Sequence, residues 1–182
     1  MKVNLSRFQN DWYKPGSKMK IILWYFINAI FYKSSFPWPQ LIKNNFLKYF
    51  GAVIGNNVLF KSNVNIKYPW FLEVGNDVWI GENVWIDNLA KVKIEDNVCI
   101  SQGAMLLCGN HDYKKSSFDL LLGEITLKEG SWVGAKSVVC PGVTLNSHAI
   151  LAVGSIANKD LEAYSIYQGN PAIKIRERNI EY

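Results

Sequence analysis

His111 is one of only two histidines in a chain of 182 residues. It lies in Cys108-Gly-Asn-His-Asp-Tyr113, with an acid beside it and a thiol three residues before it. Imidazole, with an ordinary pKa of about 6.5, can take and return a proton at neutral pH. Two chemistries use such a cluster. In one, His111 removes the proton of an attacking hydroxyl, and Asp112 either orients the imidazole or forms the turn in Asn-His-Asp. In the other, Cys108 is a nucleophile activated by the histidine. A thiol at such a corner is more often an inert apolar filler, and that is the reading adopted. His148, in Asn146-Ser-His-Ala149, reads as a turn residue and not a second base. A three-histidine zinc site needs more imidazoles than the chain has, so no metal is expected.

The elements that position His111 announce themselves as a repeat. Aliphatic or aromatic residues recur at every sixth place in five blocks of three: Ile54, Phe60, Ile66; Val74, Ile80, Ile86; Ile94, Ile100, Leu106; Leu127, Val133, Val139; Leu145, Leu151, Ala157. Neither a helix, with its period of about 3.6, nor plain strand alternation makes that spacing. A short strand plus a turn, three times per coil, does, and it closes a triangular parallel β-solenoid of five coils with the repeated side chains stacked inside. Blocks start 18 to 20 residues apart except for one step of 33, from 94 to 127. The extra chain, predicted as a loop excursion over 107–124, is the segment that holds His111. Long insertions in a regular scaffold are usually functional or disordered.

The rest of the chain frames this domain. Residues 1–50 read as an extension with helical segments, 51–160 as the solenoid and 161–182 as a C-terminal tail. The apolar stretch 19–32 is too short for a bilayer span, which needs about 20 apolar residues. It reads as a helix packed on the main domain or on a partner subunit, with a peripheral membrane contact as the other option, because Lys14, Lys18, Lys20 and Lys33 flank it. A net charge of +5 without a dense basic run points away from nucleic acid. Three cysteines without paired spacing read as reduced thiols, hence a cytoplasmic protein, at most peripheral at the inner face of the membrane.

The hexads, the excursion Gly109-Asn-His-Asp-Tyr113, the segments Trp79-Ile-Gly-Glu-Asn-Val-Trp-Ile-Asp-Asn88 and Cys99-Ile-Ser-Gln-Gly103, and the ending Gly169-Asn-Pro-Ala172 resemble the bacterial hexapeptide-repeat acyltransferases. Within them the chain is most similar to the polysaccharide O-acetyltransferases of the colanic-acid type, over roughly residues 51–176. The resemblance implies a left-handed β-helix and a homotrimer with acetyl-CoA in the groove between neighbouring solenoids. It also implies direct transfer of acetyl to a sugar hydroxyl of a surface-polysaccharide precursor, with His111 as general base and Asp112 as its candidate partner. Asp87 and Asn88 match positions that line the acceptor pocket, and Tyr113, on the excursion, is a further candidate for binding the substrate. Trp132, Ala135, Val153, Gly154, Asn158 and Lys159 match positions that contact the cofactor, with Asn158 where threonine is common. Lys159 and Arg176 are candidates for the CoA phosphates. Trp79 and Trp85 fall on the outer surface, where packing between subunits is the preferred reading. Two further readings stay open: acetylation of a xenobiotic such as an antibiotic, and a non-catalytic solenoid scaffold at a membrane.

Overall fold

Six-residue spacing becomes geometry through one repeated backbone event. Three residues after the inward aliphatic, the chain enters the left-handed region: Asn57, Asn63, Asp77, Asn83 and Asn97 have φ between 55° and 60°. Asparagine and aspartate tolerate that conformation because their short side chains bond locally. Gly103, Gly130 and Gly142 fill equivalent places with positive φ, and His148 does so at φ 59°, as a corner residue. Close stacking adds its own demand: a Cβ on Gly134 would lie 2.6 Å from the Leu151 carbonyl oxygen of the next coil.

A computed structural model describes residues 2–181 and shows a parallel β-solenoid of three faces. The first face stacks Val53–Ile54, Leu72–Val74, Val92–Ile94, Ile125–Leu127 and Thr144–Leu145. The second stacks Leu59–Phe60, Trp79–Ile80, Cys99–Ile100, Trp132–Val133 and Ile150–Leu151; the third stacks Asn65–Ile66, Trp85–Asp87, Met105–Leu107, Val138–Val139 and Ile156–Ala157. Register runs straight through each ladder, as in Phe60 to Ile80, Ile100, Val133 and Leu151. All fifteen repeat positions are buried. Small inward residues at the corners, such as Val78, Val84, Ala104 and Ser137, fill the space between them.

The C-terminal segment is more than a tail. Leu161 bridges to Leu145 on the first face, and Ser165–Gly169 pairs in parallel with Ile150–Leu151 on the second, so a sixth coil begins there. Ala172–Glu177 then folds back antiparallel on it.

A parallel ladder leaves its first strands with unpaired backbone groups, and the N-terminal helices supply the partners. Helix α1 is Lys18–Ile27, extended by a wider turn over Asn28–Tyr32; α2 is Gln40–Tyr49. From α2, the Gln40 side chain accepts from the Phe60 N–H at 2.8 Å and donates to the Phe60 carbonyl at 3.0 Å. Buried Lys43 also donates to that carbonyl. From α1 and its extension, Trp24 Nε1 donates to the Ile66 carbonyl at 2.8 Å, and Asn28 Oδ1 accepts from the Ile66 N–H. Burial and the nearby Lys61 push the Lys43 ammonium pKa down. Residues 18–49 therefore belong to the solenoid as its cap.

Truncating Gln40 to Ala strands the Phe60 N–H, and unfolding in urea should show a loss of about 1–3 kcal/mol. Lys48→Ala, on the exposed side of the same helix, should stay within about 0.5 kcal/mol of the parent.

Candidate active site

The insertion predicted as a loop is a two-stranded hairpin. Gly109–His111 pairs antiparallel with Leu120–Leu122, setting His111 opposite Leu120, and Asp112 N–H donates to the Asp119 carbonyl at 2.8 Å. The hairpin leaves from the edge between the third and first faces. Its root is tight: a Cβ on Gly109 would sit 2.6 Å from Leu89 Cδ1. A regular β arm on a rigid stack holds a side chain more firmly than a free loop does.

The imidazole of His111 is partly exposed and fixed from two sides. Its Nδ1 lies 2.8 Å from the Phe118 carbonyl oxygen, and its ring stacks on the Phe118 ring at 4.4 Å and 9°. Phe8, from the N-terminal segment, tilts against it at 5.7 Å. A carbonyl oxygen only accepts, so Nδ1 carries the proton and Nε2 keeps a free lone pair. Phe118 itself has φ 55°, a conformation rare for a bulky side chain and one that clusters at functional sites. Residues 4–13 strap the hairpin in place, through Asn4 N–H to the Ser116 carbonyl at 2.8 Å and the Tyr13 hydroxyl to the Leu89 carbonyl at 2.6 Å.

Three expectations need correction or restriction. Asp112 does not orient the imidazole: its carboxylate accepts from the Lys114 N–H at 3.1 Å, an Asx turn at the hairpin end, while the Phe118 carbonyl does the orienting. Asn88 is 0% exposed and spent on backbone, accepting from the Lys67 and Tyr68 N–H groups and donating to the Tyr68 carbonyl. It is a bracket at the corner, shut off from solvent. Tyr113 is 75% exposed at the hairpin tip and shares a shallow depression with Val3 and Lys114, away from Asp87.

Asp87 keeps a place in a cleft. One carboxylate oxygen is buried without a hydrogen bond and lies 3.1 Å from Lys67 Nζ, an ion pair without hydrogen-bond alignment. The cleft beside it is about 310 Å³, between the third face and α1 with its extension, lined by Tyr25, Asn28, Lys33, Asn65 and Trp85. Trp85 therefore faces this cleft. A larger depression on the first face, about 420 Å³, is lined by Glu73, Lys93, Glu95 and Glu129 and includes no residue of the hairpin.

The residues matched to a cofactor fall into two sets. Ala135, Val153 and Gly154 share the edge between the second and third faces, where Gly154 N–H donates to the Ala135 carbonyl at 2.9 Å. Trp132 on the second face donates from Nε1 to Ser101 Oγ at 2.8 Å, and Arg176 lies exposed on the outer C-terminal strand of that face. Asn158 and Lys159, both exposed, lie past the third face at the next edge, the one from which the hairpin leaves. Among the described residues, no group of three or more His, Cys, Asp or Glu side chains could hold a metal ion.

Cys108 is 0% exposed, and burial pushes its thiol pKa from 9.0 up to about 12, so it is neither accessible nor a thiolate at neutral pH. Phe8, Tyr13 and Phe118, which hold the hairpin and its imidazole, carried no signal in the repeat, because their partners are distant in sequence or depend on a local backbone conformation.

No family model matches the chain. It is 34% identical over 170 residues to the colanic acid biosynthesis acetyltransferase WcaF of Escherichia coli, covering 91% of both chains. A solved galactoside acetyltransferase in complex with coenzyme A superposes with a TM-score of 0.79 at 24% identity, over 88% of this chain and 82% of that one. A hexapeptide-repeat acetyltransferase from Vibrio cholerae complexed with acetyl-CoA gives 0.73 at 18% identity, over 80% and 81%.

Two outcomes follow from this geometry. Phe118→Ala removes the ring stacked on the imidazole. Turnover should fall about tenfold or more with little change in coenzyme A affinity, because a small misplacement of a reacting group is costly; an unchanged kcat would show that the stacking is idle. Stability should fall as pH rises from about 9 to 12. Burial raises the folded pKa of Cys108 from 9.0 and of Tyr68 from 10.0, both to about 12, so the unfolded chain releases protons that the folded chain retains. Lys43, shifted the other way, offsets part of this. Urea midpoints measured across that window check the sign.

Proposed function

The chain belongs to the hexapeptide-repeat acetyltransferases of the colanic acid biosynthesis type, and from that membership we propose that it moves acetyl from acetyl-CoA to a hydroxyl of a sugar in a surface-polysaccharide precursor, with His111 as general base. The observation that carries the reading is the free Nε2 of an imidazole whose Nδ1–H is anchored to the Phe118 carbonyl.

In this reading, Nε2 takes the proton of the acceptor hydroxyl as its oxygen attacks the thioester carbonyl. The tetrahedral intermediate collapses, the carbon–sulfur bond breaks, and the same nitrogen returns the proton to the departing CoA thiolate. The Phe118 carbonyl favours the imidazolium formed between these steps, since it accepts from Nδ1–H throughout. Transfer is direct, a route supported by the burial of Cys108, the nearest thiol.

Trp132, Ala135, Val153, Gly154, Asn158, Lys159 and Arg176 would hold acetyl-CoA. Because they lie on two edges of one solenoid, a single CoA meets both sets when the hairpin edge of one copy packs against the second-to-third-face edge of the next. Contact between two different edges is heterologous, which a two-fold dimer does not make, and a rotation that closes after three copies would give the trimer. Exposed Trp79 (63%), Met105 (37%) and Val153 (67%) supply apolar surface for it. The cleft with Asp87 and Trp85 has the mix of aromatic face, amides and charge that suits a sugar. A sugar acceptor is also supported by the names of the relatives, one tied to colanic acid and one to galactosides.

Release of free thiol from acetyl-CoA, followed with a panel of sugars and lipid-linked glycans, tests the reading. His111→Ala should lower kcat by about two to four orders of magnitude. Full activity in the variant would refute the assignment, and turnover of antibiotics in place of sugars would move the acceptor class.

A further inference from the structure

Charge is distributed unevenly along this chain. Residues 1–50 hold eight Lys and Arg against a single acid, Asp11, a surplus of seven; residues 51–182 hold 12 against 14, a deficit of two. Of the eight, Lys2 and Arg7 lie beside the hairpin and Lys43 is buried, which leaves Lys14, Lys18, Lys20, Lys33 and Lys48 as the positive charge on and beside the helices. Among the described residues, none of Lys14, Lys18, Lys33 or Lys48 forms an ion pair. Lys20 stands over the Trp70 ring at 4.4 Å.

The same cap leaves a large apolar face uncovered. Trp24, Asn28 and Tyr32 point into the solenoid and are buried. On the opposite side, Met19, Ile22, Leu23, Phe26 and Ile30 are 73%, 55%, 53%, 64% and 51% exposed. Their spacing of three and four residues makes one continuous stripe along α1 and its extension. A stripe of that size on a free surface marks an interaction site. Among the described residues, no helix is long and apolar enough to cross a membrane, so the stripe does not belong to a span.

We infer that this face docks on an anionic phospholipid surface. The helix would lie parallel to the bilayer, the five apolar side chains seated at the boundary of headgroups and acyl chains, with the unpaired lysines against the anionic headgroups. Apolar stripe and cationic flank together are the recognition chemistry of an interfacial helix. A second protein copy would meet the same surplus of positive charge that this surface carries, which disfavours self-association through it. The inference stands on the cap alone. It also bears on the acceptor, because Tyr25 and Lys33, on the flank of the same helical segment, line the Asp87 cleft. If the proposed sugar transfer holds, that cleft opens beside the membrane, where a lipid-linked acceptor would be presented.

Flotation of the full-length protein with vesicles tests this directly. Vesicles of phosphatidylcholine with about a third phosphatidylglycerol should carry the protein upward at low salt, with recovery about tenfold above that on pure phosphatidylcholine and falling as salt screens the lysines. The double variant Ile22→Asp/Phe26→Asp should remain at the bottom, and Lys14→Gln/Lys18→Gln should float less. Both variants should keep the parent's circular dichroism, coenzyme A affinity and subunit number by light scattering. The proposal is overturned if the parent fails to float with anionic vesicles, or if the aspartate variant floats as the parent does. A change of subunit number in the aspartate variant would also overturn it, by assigning the stripe to contact between copies. None of these readouts depends on turnover, so failure here and failure of the sugar reading are separable.

Discussion

A parallel β-stack satisfies its backbone only through the coil above and the coil below, and everything else in this protein answers to that condition. Inside the stack the rule is met by identical register, and the aliphatic ladders follow from it, each side chain lying on its counterpart in the next coil. At the start of the stack there is no earlier coil. Gln40, Lys43, Trp24 and Asn28 then take its place with side-chain groups aimed at Phe60 and Ile66. Repeat proteins in general need such ends, because a terminal coil otherwise exposes both its core and its backbone edge. Here the cap does more than close the stack: one face of α1 is spent on the first coil, a second lines the Asp87 cleft, and a third is left apolar and open.

Rigidity is what allows one interruption to be useful. The hairpin of Gly109–His111 and Leu120–Leu122 is inserted between two strands that remain adjacent to their neighbours in the stack, Met105–Leu107 with Trp85–Asp87 and Ile125–Leu127 with Val92–Ile94. Its base cannot shift without breaking the register of both. The N-terminal strap at Asn4 and Tyr13 braces the other side. The histidine is thus held by local contacts on an immobile mount, and the left-handed conformation of Phe118 aims a carbonyl at Nδ1. Strain at one residue sets the protonation pattern of the next group along.

The fold was legible because its signal is periodic. Fifteen apolar residues at six-residue spacing determine the faces, the coils and the place of the insertion, and the left-handed corners explain why Asn, Asp and Gly punctuate them. The break in the repeat also placed His111 on the insertion. What surrounds it was not legible. Asp112 offered a carboxylate beside an imidazole, yet the short connection at the hairpin end turned that carboxylate to the Lys114 N–H. Asn88 had the right place and chemistry for a ligand, but the backbone of Lys67 and Tyr68 holds its amide, and it is buried. Phe8 and Phe118 touch the imidazole through contacts that no spacing encodes. The C-terminal tail was read as an appendage because a partial sixth coil lacks the repeat.

The central claim is that His111 is held with its proton on Nδ1 and its lone pair on Nε2. Two-bond proton–nitrogen NMR correlations on the protein labelled with ¹⁵N-histidine, at a pH where the ring is neutral, report that directly; His111→Gln identifies the signal. The account predicts a protonated Nδ1 and a bare Nε2, opposite to the tautomer that free histidine prefers. A ring with its proton on Nε2 would leave no base facing a hydroxyl and would contradict it.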